Sequence, residues 1–169
     1  MRLAAVISIV ALASCAGATS RGAASPSMPV VPCDDDIGHP HSGHEAGFRV
    51  VLGVVSVAPA YLPQVTTSPE PTWPYWHKAG LAVWSQASVT VDVPTSWRTS
   101  AAITWGNNTG AVSALRIAAC PTYFGRQGWD AYAGGFYLRS RSACVPLVFR
   151  VGRQSATVRF GVGRRCAVR

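Results

Sequence analysis

The residues best suited to chemistry lie between Cys33 and Glu45. The run Cys33-Asp34-Asp35-Asp36-Ile37-Gly38-His39-Pro40-His41-Ser42-Gly43-His44-Glu45 holds three of the four histidines and four of the seven carboxylates of a 169-residue chain. Imidazole and carboxylate donors suit zinc, copper or nickel, and a loop containing Gly and Pro can wrap an ion that later elements then fix. His39, His41 and His44 are the candidate metal ligands, with His77 as a more distant fourth, and Zn or Cu is the ion expected of such a set. Their spacing matches no ligand motif, and the alternating Asp ligands and turn glycine of an EF-hand are absent. An exposed loop would contain the same polar residues with no ion bound. The sequence requires no other cofactor.

A second group is aromatic. Pro59 to Pro74 is a long Pro-rich connection carrying Tyr61 and Trp73, and Tyr75, Trp76 and His77 follow at once. Trp73, Tyr75 and Trp76 join apolar faces to a polar edge, which suits stacking on sugar rings or anchoring a partner; the plainer reading is a lid over one end of the core. Basic residues gather late: ten Arg lie between Arg116 and Arg169, opposed only by Asp130. Such a half attracts lipid head groups, phosphate-bearing polymers and acidic glycans, while Arg at alternate strand positions also keeps a sheet face wet and unpaired. No G-x-S-x-G elbow, H-E-x-x-H or Gly-rich phosphate loop occurs. Beyond the His-rich run the carboxylates are only Glu70, Asp92 and Asp130, so no enzyme is expected.

The compartment follows from the first residues and the cysteines. Arg2, an apolar run from Leu3 to Ala11, and Leu12-Ala13-Ser14-Cys15 are the parts of an export signal, and the tetrapeptide resembles the lipobox of bacterial lipoproteins, whose cysteine carries diacylglycerol. The expected organisation is a signal over 1–14, a flexible tether over 15–32 beginning at lipidated Cys15, and one domain over 33–169. Such a protein sits on the outer face of the cell membrane as a monomer, with an envelope glycan, an anionic polymer or a protein as partner and no nucleic acid. Cleavage after Ala13 would instead yield a soluble secreted protein. The apolar run is too short to span a bilayer, which takes about 20 residues. With Cys15 set aside, Cys33, Cys120, Cys144 and Cys166 make two disulfides in an oxidising environment.

The elements that must position these groups are strands. Hydrophobic residues make up 49% of the chain and charged ones 13%, with Val, Thr, Gly and Pro prominent and a single Lys, Lys78, which disfavours helices. Phe48 to Val57 lacks polar alternation and is expected to be one buried strand, with Gly53 at a bulge or close approach. Leu81–Ser85 follows, then Ser88–Val93 with alternating Val89, Val91 and Val93, then Ala101, Ile103 and Trp105, then Leu115 and Ile117. Gly134-Gly135 marks a place for the chain to double back between Cys120 and Cys144. At the end, Val145, Leu147, Phe149 and Val151 oppose Ala156, Val158, Phe160 and Val162 across a type II′ turn at Gly152-Arg153, and Pro146 suits an edge or strand start. In that register Cys144 faces Gly161 and Cys166 overshoots it by roughly 16 Å at strand rise. Disulfide Cα atoms lie about 4.4 to 6.8 Å apart, so Cys144–Cys166 is disfavoured unless the tail folds back at Gly163. Of the two remaining connectivities, Cys120–Cys144 with Cys33–Cys166 is preferred.

Arg49-Val50-Val51-Leu52-Gly53-Val54-Val55, Val91-Asp92-Val93-Pro94 with Trp97-Arg98, Trp105-Gly106-Asn107, Ala133-Gly134-Gly135-Phe136, Cys144-Val145-Pro146-Leu147 and Gly161-Val162-Gly163 before Cys166 together resemble a family of uncharacterised actinobacterial secreted or lipid-anchored β-sandwich proteins. The resemblance spans nearly all of the domain. It implies a shared fold and an exported location, and carries no catalytic residue. The short strands and frequent turns independently predict an all-β, antiparallel β-sandwich, immunoglobulin-like, with a small β-barrel as the alternative. The expected function is a non-enzymatic envelope binding or interaction module, with metal binding at the His-rich run as the alternative.

Overall fold

The computed structural model describes residues 27–44, 47–107, 109–122 and 127–167. The export signal, Cys15 and most of the tether lie outside the described residues, as does Glu45. Within them the strands are β1 (Val30–Val31), β2 (Arg49–Val51), β3 (Val55–Val57), β4 (Tyr61–Leu62), β5 (Thr66–Thr67), β6 (Tyr75–Lys78), β7 (Leu81–Trp84), β8 (Val89–Asp92), β9 (Ala101–Trp105), β10 (Ala114–Ile117), β11 (Trp129–Tyr132), β12 (Gly134–Leu138), β13 (Ala143–Val151) and β14 (Gln154–Val162). No helix among the described residues is long and apolar enough to cross a membrane.

The fold is an all-β sandwich of open sheets, mostly antiparallel and not closed into a barrel. A six-stranded sheet runs β1-β10-β8-β13-β14-β4, and two four-stranded sheets run β11-β7-β3-β2 and β5-β6-β12-β9. Period-two alternation places Val89 and Val91, Leu115 and Ile117, and Val145, Leu147 and Phe149 in one buried core with Val55, Val57, Leu81, Ile103, Phe136 and Leu138 of the smaller sheets. Phe136 ties the layers together: its ring lies 5.2 Å from that of Phe160 in the large sheet and 6.1 Å from that of Trp105 beside it. The Trp105 indole N–H, buried with its ring, donates to the Ala79 carbonyl at 2.9 Å.

The C-terminal hairpin has the register its pattern dictates, with Cys144 opposite Gly161 and Val151 opposite Gln154. Gly152 takes φ +56°, as a II′ turn requires at its first central position. Pro146 lies on a central strand but outside the Val148–Arg150 stretch that pairs with β8, so no ladder bond to β8 needs its missing N–H.

Several expectations are corrected. Phe48–Val57 is not one strand. Leu52 and Gly53, both at positive φ, turn it into a hairpin of β2 and β3, so Gly53 serves a turn rather than a bulge. Gly134 marks a change of sheet rather than a doubling back, since β11 pairs with β7 and β12 with β6 and β9. The folded domain starts before Cys33: Val30–Val31 pairs in parallel with β10, and Val31 is fully buried.

The disulfides are Cys33–Cys120 and Cys144–Cys166, with Cα separations of 5.5 and 5.3 Å, in place of Cys33–Cys166 and Cys120–Cys144. The physical reason lies at Gly163. Its φ of +68° turns the chain after β14 so that the tail returns along the strand end, removing the overshoot that extended geometry would give. Closing loops of sequence separation 87 and 22 restricts the unfolded chain by about 4 to 5 and about 3 kcal/mol respectively. Two such bonds are those of a protein matured in an oxidising environment.

Non-reducing peptide mapping is expected to recover a Cys33–Cys120 link and a Cys144–Cys166 link. Recovery of Cys120–Cys144 would contradict the folded-back tail. Truncating Phe136 to Ala removes the ring that bridges the layers and is expected to lower stability by about 3 to 5 kcal/mol in urea denaturation; a loss below about 1 kcal/mol would show that the two layers do not depend on it.

Candidate functional site

The His-rich run is divided among different tasks. A single 3₁₀ turn over Cys33–Asp35 buries Asp35, whose carboxylate accepts the backbone N–H of Asn107 at 2.9 Å and its side-chain amide at 3.1 Å. Gly106 is required there, because it takes φ +85° and a Cβ would lie 2.6 Å from Asp35 Oδ2. Asp35 therefore docks the leading segment on the end of β9. The chain then runs along the free edge of β11, with Ile37 N–H donating to the Ala131 carbonyl at 2.8 Å and Ala131 N–H to the Gly38 carbonyl at 2.9 Å. This strap covers an edge that would otherwise offer unpaired backbone groups.

His39 follows, with Nδ1 3.2 Å from Asp130 Oδ1 and Nε2 3.2 Å from Asp36 Oδ2. Asp36, His39 and Asp130 are a group of metal-ligand types gathered among the described residues; His41 and His44 are not part of it. His44 is exposed, and its backbone N–H donates to Ser42 Oγ. His77 is buried on β6, where Nδ1 donates to the Gln64 carbonyl, far from a shared donor set. The predicted set of three histidines is therefore replaced by one histidine and two carboxylates. Each ring nitrogen of His39 faces a different carboxylate, and a single ion could take only one of those nitrogens.

Asp130 is 6% exposed. Burial raises its carboxyl pKa, an effect that the hydrogen bond and charge of His39 oppose. Burial, then the nearby carboxylates, also raises the Tyr132 phenol. Under the strap, Ile37, Pro40, Phe48, Leu81 and Tyr132 line an apolar hollow of about 220 Å³. The hydroxyls beside it are engaged: Ser56 Oγ donates to the Gly43 carbonyl and Tyr132 OH contacts Cys120 Sγ at 3.5 Å.

The aromatic residues and late arginines meet. Arg139 lies 5.2 Å over the Trp73 ring, Arg141 5.7 Å over Tyr75 and Arg165 4.6 Å over Tyr61. Trp73, Tyr75 and Trp76 are all half-buried. Tyr75 packs against the core as a lid would, whereas Trp76 lies on the other face of β6, its ring 4.6 Å from Tyr137. Pro63, Val65, Arg141, Ser142 and Gly163 surround a hollow of about 260 Å³, and Arg159, Arg164 and Arg165 line another of about 280 Å³ with Cys144 and Ala167. Residues 163–165 join the two hollows. Among the described residues the ion pairs involve Asp36, Asp130 and Asp92, the last held by Arg98 and Arg150. None reaches Arg139, Arg141, Arg159, Arg164 or Arg165.

The sequence pattern did not single out Asp130 or the arginine partners of the rings. The available sign for Asp130 was its place in Trp129-Asp130-Ala131-Tyr132, where a carboxylate in a buried aromatic strand needs a partner. Comparison of the chain with models of known families, with curated proteins and with solved structures finds no match in any of the three.

The folded-state pKa of Asp130 is raised, so its contribution to stability is complete below the unfolded carboxylate value of about 3.9 and is lost as pH rises through the folded value. In urea denaturation, the stability of the wild type relative to Asp130→Asn is expected to fall as pH rises through the carboxylate range. A difference that rises with pH would show that His39 outweighs burial.

Proposed function

We propose that this chain is an exported, non-enzymatic binding module of the cell envelope, anchored through lipid on Cys15, whose cationic aromatic end takes anionic polymers. The observation that carries this reading is the stacking of Arg139, Arg141 and Arg165 on Trp73, Tyr75 and Tyr61, with no carboxylate partner among the described residues. Arg98 and Arg150, by contrast, are neutralised by Asp92. Here the rings lie against guanidinium groups of exposed residues, an arrangement suited to a mobile anion. The half-buried rings add apolar faces on which sugars stack. A net charge of +8 draws polyanions in from a distance, an attraction that salt screens. Two acyl chains on Cys15 would give stable attachment and hold this end near envelope polymers.

Isothermal titration with polygalacturonate, polyphosphate and neutral dextran tests the binding. Both polyanions are expected to bind, dextran is not, and the affinity is expected to fall steeply with added salt. The Arg139→Gln/Arg141→Gln variant should bind roughly tenfold more weakly with an unchanged melting temperature. Equal binding of dextran and polyanions, or affinities insensitive to salt, would overturn the reading. Intact-mass analysis tests the anchor: a chain starting at Cys15 with added lipid mass is expected, and one starting at Ser14 without lipid would remove the tether.

A further inference from the structure

Arg164 and Arg165 owe their position to backbone constraints. Gly163 turns the chain at φ +68°, and a Cβ there would lie 2.6 Å from the Arg141 carbonyl oxygen. The returning tail then packs on Gly161, where a Cβ would overlap the Arg164 carbonyl and lie 2.9 Å from the Cys166 nitrogen. The Cys144–Cys166 bond closes the arrangement. As a result Arg164 and Arg165 line the hollow of about 280 Å³ together with Arg159 of β14, Cys144 and Ala167, while the Arg165 guanidinium lies 4.6 Å over the Tyr61 ring. Bringing three cations to one hollow is unfavourable in isolation, and no carboxylate among the described residues relieves it.

We propose that this hollow is a phosphate-binding subsite assembled by the Cys144–Cys166 disulfide, a proposal that rests on the anionic-polymer reading above. The number of arginines lining the hollow selects the anion. A carboxylate offers two coplanar oxygens, which one arginine fork can satisfy. A phosphate group offers oxygens in three dimensions and accepts donors from several sides, so it matches a hollow with three arginines, Arg159, Arg164 and Arg165, in its wall. The bond assembles the site because both arginines precede Cys166 directly: reduction by an added dithiol converts the disulfide to two thiols and frees the tail, taking Arg164 and Arg165 from Arg159.

The test uses oxidised full-length protein with three probes: polyphosphate, polygalacturonate and phosphatidylglycerol vesicles set against phosphatidylcholine vesicles. Arg159→Gln/Arg164→Gln, confined to exposed side chains, is expected to weaken polyphosphate binding by about tenfold or more and polygalacturonate binding by less than about threefold. Cys144→Ser/Cys166→Ser is expected to show the same selective loss; should that variant fail to fold, the arginine variant, checked by thermal melting, carries the test. Arg159-dependent binding of phosphatidylglycerol vesicles without polyphosphate identifies a lipid headgroup as the source of the phosphate, and binding of polyphosphate alone identifies a soluble polymer; either supports the subsite. Equal losses on both polyanions, or no loss on any phosphate probe, overturn the subsite and leave the polyanion reading standing. Failure of the wild type to bind any probe overturns both.

Discussion

The return of the chain after β14 is the constraint on which the rest depends. It needs a left-handed residue at Gly163, a missing side chain at Gly161 and a bond between Cys144 and Cys166. Gly163 N–H donates to the Leu62 carbonyl and Gly161 N–H to that of Ala60, so the same few residues also hold β4 to the sheet edge. The path of the chain thus sets both the limit of the large sheet and the place where the late arginines gather. A straight continuation of β14 would have left those cations spread along an exposed strand.

The opposite demand, covering a sheet rather than exposing charge, is met by the leading segment. Asp35 fixes its start on Asn107, the Cys33–Cys120 bond fixes it near the end of β10, and backbone bonds lay it on β11. His39 then sits between Asp36 and buried Asp130, where a hydrogen bond to its ring offsets part of the cost of taking a carboxylate out of water. The polar run that looks most chemical in the sequence is in large part the hydrogen-bonding equipment of a strap. The less conspicuous arginines, scattered over the last third of the chain, form the charged surface that remains open to solvent.

What could be read from the sequence follows the range of the interactions. The β13–β14 hairpin was legible to the residue because its valines and phenylalanines alternate on both strands and Gly152-Arg153 leaves a single loop length. The all-β class was legible from composition and turns. The disulfides were not, because the inference extended strand geometry past Val162; Gly163 was noticed, but only the surrounding contacts decide that it turns the tail back. His39 was visible as a ligand type, while its partner Asp130 lies 91 residues away and no local pattern joins them. The rings at Trp73 and Tyr75 were visible as a group and Arg139 and Arg141 only as part of the late basic half; their stacking depends on β6 pairing with β12.

On the proposed reading, polyanions bind the end of the sandwich carrying Trp73, Tyr75 and the folded-back tail. Nitrogen-15 chemical-shift mapping during titration with polyphosphate tests it most directly, since indole and arginine Nε signals report each group separately. Binding at that end is expected to shift the Trp73 indole and Arg139, Arg141, Arg159, Arg164 and Arg165, with the Trp84 and Trp129 indoles beside the strap unmoved. Shifts centred on Trp84, Trp129 or His39, with the arginine signals unchanged, would contradict it.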